Sequence, residues 1–364
     1  MPPRAGRIAG KARHPAAASG DPRTENREER TVAFATKESP MTTLDPSIRP
    51  PFDPELAPML EVLGAMMPPT LTAEMIPALR AGGLPGMPTI AEQLAEAGLE
   101  SRDVTIPGYE GADIVVSVVQ AVGRTGRGPG IFHTHGGGMI IGDRFSGALG
   151  FAESLHRYNA VMVTVEYRLA PEFPDPYPVE DCYAALEWTA AHADDLGIEA
   201  DRLIIGGASA GGGLAAGVSL LARDRGGPHL AAQLLQCPML DDRDATHSTH
   251  QIDGLGVWDR GSNVLGWTSL LGERKGTDDV SIYAAPARAT DLSNLPPAFI
   301  DCGTAEVFRD EDVAYASAIW AAGGVAELHV WPGGFHAFDG LAPQATLSQD
   351  AIDARNRWIR RIWG

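Results

Sequence analysis

Apolar positions along this chain change their spacing several times. From residue 42 to about 100 they recur at helical intervals between Pro-rich turns, as in Leu56, Met59, Leu60 and Leu63, without strand alternation. From Asp113 the pattern turns β-rich, and 114–119, 130–133 and 161–167 read as strands. Strands then alternate with helices. A stripe through Cys182, Leu186, Ala190 and Ala193 precedes a strand at 203–206, and a stripe through Leu214, Val218 and Leu221 precedes a strand at 230–237. Residues 241–285 interrupt this rhythm with a mixed helical stretch that carries Trp258 and Trp267. The alternation resumes with strands at 298–301 and 327–331. A helix through Val313, Ala316, Trp320 and Gly323 lies between them, and a closing helix runs through Leu347, Ala351, Ala354, Trp358 and Ile362. Strands separated by crossover helices predict an α/β fold whose mostly parallel sheet is covered on both faces. The expected organisation is an extension at 1–40, a helical attachment at 41–105, a core of 106–240 and 286–364, and an insertion at 241–285.

Composition narrows the class. With 364 residues, 44% hydrophobic and 21% charged, the chain can bury a large core, and its length suits either two domains or one α/β domain with insertions. Residues 1–40 carry eight basic and five acidic residues, while the remainder bears a net charge of −21, so the first segment is a different material and reads as a disordered basic extension. It has no apolar h-region, so no secretory signal is expected, and Met41 could serve as a natural start. The overall charge of −18 opposes a phosphate backbone or an anionic membrane surface and favours neutral small molecules. Cys182, Cys237 and Cys302 lie in apolar stretches without C-x-x-C spacing, which predicts reduced core thiols, a cytoplasmic location and no metal site. Residues 203–222 form an uncharged run as long as a membrane span, but its six glycines and its strand–turn–helix pattern predict a buried core segment without membrane insertion.

The chemistry concentrates at turns. Gly207-Ala208-Ser209-Ala210-Gly211 sits between a strand and a helix, the context a nucleophile elbow requires. Such a pentapeptide arises by chance in roughly one chain in five of this composition, so the context carries the inference. His135-Gly136-Gly137-Gly138 follows an earlier strand, and its glycines let backbone amides converge on a developing oxyanion. Gly137, Gly138 and Ala210 are the expected donors, with Gly136 the close alternative. His336, after the strand ending at Trp331, is the expected base, whereas His329 lies inside that strand. The acid should follow the strand at 298–301. Glu306 is preferred there and Asp310 is the alternative, because Asp310, Glu311 and Asp312 are explained by a helix N-terminus. Met139, Ile140, Trp258 and Trp267 are candidates for an apolar substrate pocket, with core packing the alternative for each.

With these residues in place, the chain resembles the hormone-sensitive-lipase-like bacterial carboxylesterases of the α/β-hydrolase superfamily. The resemblance runs from about Gly130 to the end. It is carried by the His135 glycines, Glu166-Tyr167-Arg168-Leu169-Ala170-Pro171-Glu172, the Ser209 elbow, Pro238-Met239-Leu240-Asp241-Asp242-Arg243, Leu295-Pro296-Pro297-Ala298, the segment from Ala305 to Glu311, and Phe335-His336. It implies an eight-stranded sheet flanked by helices, with a helical cap built from 41–105 and 241–285. Many members carry Asp at the position of Ala208 and of Glu306, and an aromatic residue at that of Met139. The implied function is cofactor-free hydrolysis of short- to medium-chain carboxylic esters through an acyl-enzyme on Ser209. A lactone, carbamate or amide would suit the same triad, and a non-catalytic binding protein is a further alternative. The aromatic-rich cap could also serve as a dimer surface.

Overall fold

The computed structural model describes residue 45 and residues 48–81 and 88–364. The basic extension and Met41 lie outside the described residues. Eight strands form one sheet: β1 (Leu99–Pro107), β2 (Asp113–Ala121), β3 (Gly128–Thr134), β4 (Val161–Glu166), β5 (Ile198–Ala208), β6 (Ala232–Gln236), β7 (Ala298–Gly303) and β8 (Ala326–Trp331). Their order across the sheet is β1-β2-β4-β3-β5-β6-β7-β8. β2 pairs antiparallel with β1 and β4, and every pairing from β4 to β8 is parallel.

The helical segments are α1 (Ala57–Met66), α2 (Ile76–Arg80), α3 (Ile90–Glu96), α4 (Ala152–Arg157), α5 (Tyr177–Ala191), α6 (Ala193–Leu196), α7 (Ala210–Arg225), α8 (His247–Gln251), α9 (Arg260–Leu271), α10 (Arg309–Ala321), α11 (Phe338–Leu341) and α12 (Thr346–Trp363). Successive strand residues point to opposite faces, and both faces are covered. Phe132, Ile205, Leu235 and Ile300 enter one core with α5 and α7, while their neighbours Ile131, Ile204, Leu234 and Phe299 enter a second core with α12. The uncharged run of 203–222 is thereby explained. It is the end of β5 followed by α7, whose residues Ala210 through Ala222 are all buried. No helix among the described residues is long and apolar enough to cross a membrane.

The sheet begins earlier than the expected boundary at 105. β1 starts at Leu99, and only Leu99 and Ile106 of its nine residues are buried. Glu100, Arg102 and Asp103 lie on an edge strand open to water, so the two-residue alternation that marks a half-buried strand is absent. Segments 48–81 and 241–285 meet on one side. Thr70 Oγ1 donates to Asp259 Oδ2 (2.5 Å), the Leu71 amide donates to Ser262 Oγ (2.9 Å), and Gln251 Nε2 donates to the Ile48 carbonyl (2.6 Å).

Candidate active site

Parallel strands bring their C-terminal ends to one edge, where loops after β3, β5, β7 and β8 converge. Ser209 caps α7 with φ 60° and ψ −125°, a strained conformation that lifts its side chain from the turn. The turn closes tightly because Gly211 has no side chain: a Cβ there would strike the Thr134 carbonyl oxygen. Thr134 Oγ1 donates to the Gly211 carbonyl at 2.7 Å, tying β3 to the start of α7.

Ser209 Oγ lies 2.9 Å from His336 Nε2, and His336 Nδ1 lies 2.7 Å from Glu306 Oε2. An ionised Glu306 can only accept, so Nδ1 carries the imidazole proton and Nε2 is left to accept from the serine hydroxyl. Ser209 and His336 are 7% and 6% exposed and Glu306 is 1% exposed, so the relay is largely shielded from solvent. The loops that carry the acid and the base are clasped together. The Thr304 amide donates to the Trp331 carbonyl (2.8 Å), the Ala305 amide to the Gly334 carbonyl (3.0 Å) and the Gly333 amide to Thr304 Oγ1 (2.8 Å). Gly303 has no side chain where a Cβ would strike the Gly334 carbonyl. The N-terminal segment braces the same loop: the Asp53 amide donates to the Gly333 carbonyl (3.0 Å), and Leu56 packs with Phe335 beside the histidine.

The glycine loop after β3 lies against this elbow. Gly137 has φ +112° and Gly138 φ +61°, values that L side chains rarely adopt, and a Cβ on Gly138 would strike the Trp258 ring. The Ala210 amide is the first of α7, among the helix-start donors that no turn of the helix can satisfy. Of the candidate pocket residues, Trp258 borders the glycine loop directly. Met139 and Ile140 are buried in the core at 1% and 0% exposure, as is Trp267, so packing is what the structure assigns to these three. A separate open groove of about 810 Å3 is walled in part by Ala208 and Ala337, the chain neighbours of Ser209 and His336, whose own side chains do not line it.

Several residues that hold the site were not singled out from the sequence. Tyr167 stacks on His135, with ring centroids 4.1 Å apart, and its hydroxyl donates to the His135 carbonyl at 2.8 Å. His135 Nδ1 is 2.8 Å from the Gly136 carbonyl, and burial lowers the affinity of this imidazole for a second proton. Arg80 donates through Nε to the Ile140 carbonyl (2.7 Å) and through Nη2 to the Ala170 carbonyl (2.5 Å), fixing the far end of the glycine loop. The run Tyr167 to Pro171, already part of the family resemblance, was the available signal for the first of these braces. Arg80 had none, because its partners are main-chain atoms distant in sequence.

Asp310, Glu311 and Asp312 lie on the first turn of α10, the helix N-terminus expected for them, and they do more than face its dipole: Glu311 and Asp312 are buried at 3% and 0% exposure. Glu311 accepts from the Leu240 and Asp241 amides (2.7 and 3.1 Å), and Asp310 accepts from the Ser248 amide (2.7 Å), tying α10 to α8. Asp310 is thus committed elsewhere, and Glu306 is the carboxylate on His336. Among the described residues, two groups bring metal-ligand types together, Cys237 with Glu306 and His336, and Cys302 with Glu306 and Asp312, each with donor atoms within 4.8 Å of one another. Burial pushes both thiols well above the ordinary range, which disfavours the thiolate a metal would need.

Comparison with known proteins gives this geometry its context. A family model described as alpha/beta hydrolase fold matches residues 131–340. Carboxylesterase NlhH of Mycobacterium tuberculosis (strain ATCC 25618 / H37Rv) is 35% identical over 263 residues, which cover 70% of this chain and 79% of the relative. Esterase LipI of the same strain is 32% identical over 228 residues, covering 60% and 69%. Among solved structures, a bacterial heroin esterase is 38% identical with a TM-score of 0.76 over 86% of this chain and 98% of its own. Esterase LipW from Mycobacterium marinum is 30% identical with a TM-score of 0.75 over 87% and 99%. A match over more than half of the sequence, joined to relatives of this similarity, means that the chain belongs to the α/β-hydrolase fold family, among its hormone-sensitive-lipase-like carboxylesterases, and is a carboxylic ester hydrolase acting on small molecules.

Proposed function

We propose that Ser209 is the nucleophile, His336 the general base and acid, and Glu306 the orienting carboxylate of an esterase for short- to medium-chain carboxylic esters. The observation that carries this reading is the unbroken relay from Ser209 through His336 to Glu306, at 2.9 and 2.7 Å. In the proposed cycle Ser209 Oγ attacks the ester carbonyl while its proton passes to His336 Nε2, and Glu306 stabilises the imidazolium. The amides of Gly137, Gly138 and Ala210, with Gly136 the close alternative, receive the oxyanion. His336 then protonates the leaving alcohol, and water repeats the sequence to free the acid and the serine. No step calls for a metal or an organic cofactor.

The chain-length preference rests on the family resemblance, and the Trp258 ring against Gly138 supports a confined acyl site. The proposal extends to a cytoplasmic location, which three buried free thiols support, and to the absence of nucleic-acid partners, which the net charge of −18 supports. It extends also to a homodimer through the cap, which light scattering on the purified chain tests. We read 48–81, within the expected 41–105, and 241–285 as that cap, because the hydrogen bonds of Thr70, Leu71 and Gln251 join them.

The decisive experiment compares wild type and Ser209→Ala on p-nitrophenyl esters from acetate to palmitate at neutral pH. Cleavage that is fastest on the short members and absent from the folded variant supports the reading. Activity that survives Ser209→Ala removes the nucleophile, and a rate that climbs toward palmitate removes the chain-length preference.

A further inference from the structure

Behind the triad acid lie three carboxylate oxygens that no N–H or O–H donor reaches. Glu306 gives Oε2 to His336, but its Oε1 is enclosed and unpaired. On the first turn of α10, Asp312 is 0% exposed, and no N–H or O–H donor reaches Oδ1 or Oδ2; the Cys302 thiol is the weak donor beside it. One donor atom from each of Cys302, Glu306 and Asp312 lies within 4.8 Å of the other two. Two ionised carboxylates this close in a buried site would repel each other, whereas a single proton between them relieves that repulsion and gives Glu306 Oε1 a donor.

We propose that Asp312 is a positioning residue for the triad acid: a neutral carboxylic acid that donates its proton to Glu306 Oε1 and so fixes the carboxylate facing His336. This inference rests on the triad reading above. In that reading Glu306 is the ionised member, its Oε2 facing Nδ1–H. Burial, together with the carboxyl groups of Glu306, Glu311 and Asp301, pushes the Asp312 carboxyl well above the usual carboxylate range. Every element packed here adds a group consistent with that state. β7 supplies Asp301, which turns its Oδ2 toward Trp331 Nε1 and Arg355, and the Cys302 thiol, itself held protonated by burial. α10 supplies Glu311, occupied by two amides. The turn after β6 supplies the Cys237 thiol, also held protonated, and the loop after β8 supplies His336. A glutamate needs such a tether more than an aspartate does, since its extra methylene adds a torsion and its terminal torsion is broad.

The test measures kcat, KM and the pH profile of kcat/KM on p-nitrophenyl acetate for wild type, Asp312→Asn and Asp312→Val, with Ser209→Ala as a control. An amide also donates, so Asp312→Asn keeps most of the activity and leaves the acid limb in place. Asp312→Val removes the donor, lowers kcat roughly tenfold at similar KM, and moves the acid limb to higher pH, because a carboxylate relieved of its donor holds the imidazolium more tightly. If Asp312 were instead ionised, either substitution would delete a negative charge near His336 and move the limb to lower pH, which overturns the proposal. So does a valine variant with unchanged kcat, or an asparagine variant as impaired as the valine one. Should Asp312→Val fail to fold, the direction of the limb in Asp312→Asn decides alone. A Ser209→Ala control that stays active would mark failure of the triad reading instead.

Discussion

Ser209 adopts a backbone conformation that costs on the order of 1–3 kcal/mol for a residue other than glycine, and that strain is useful only while His336 is correctly oriented beneath its hydroxyl. Orientation comes from Glu306, so Glu306→Gln should fold normally yet lose roughly 1000-fold or more in kcat with little change in KM, because an amide can hold the wrong tautomer and cannot offset the imidazolium charge. Steady-state kinetics beside a circular dichroism spectrum checks this, and near-normal turnover would remove Glu306 from the role. Ser209, His336 and Glu306 were legible in the sequence because each sits in a short turn directly after a strand, where local pattern and chemistry coincide. Asp312 and Tyr167 were not, since their roles come from what surrounds them in three dimensions: an unpaired oxygen on Glu306 in one case, a stacked His135 ring in the other.

At the scale of elements, the elbow is where β5, α7 and the end of β3 come nearest, and Gly211 sets how near. Gly211→Ala gains helix propensity of roughly 1 kcal/mol, but its methyl group has nowhere to go except into the Thr134 carbonyl. The substitution should therefore destabilise the protein by about 2–3 kcal/mol and depress kcat by tilting Ser209 away from His336. Urea denaturation and turnover together test it, and a variant at least as stable as wild type would contradict the account. Strands β2 to β7 could be read from the chain because their faces are largely buried, which makes them short apolar runs, whereas the half-buried edge strand β8 shows as the alternation of Glu327, Leu328, His329 and Val330. β1 could not, because an edge strand with seven of its nine residues outside the core carries charges where a buried strand would carry valines. The start of β5 escaped for the same reason, as Glu199, Asp201 and Arg202 precede its apolar half.

At the scale of the whole molecule, two segments almost 190 residues apart are joined through one buried carboxylate. Asp259 is 0% exposed, accepts from Thr70 Oγ1 and the Gly254 amide, and caps α9 through the Ser262 amide. Asp259→Ala removes an N-cap and leaves several donors without a partner, so a loss of about 2–3 kcal/mol is expected. It should appear as faster limited proteolysis within 48–81 and 241–285, and equal cleavage rates in variant and wild type would show that the tie is dispensable. The clasp between the loops after β7 and β8 has the opposite character, since main-chain atoms make most of it. Acid and base therefore behave as one heritable unit: lengthening either loop would unseat the other, and a graft into another scaffold must carry both. Mutational drift toward a different ester is channelled away from that unit and into the cap, where the joints between segments are made with side chains and can be exchanged one residue at a time.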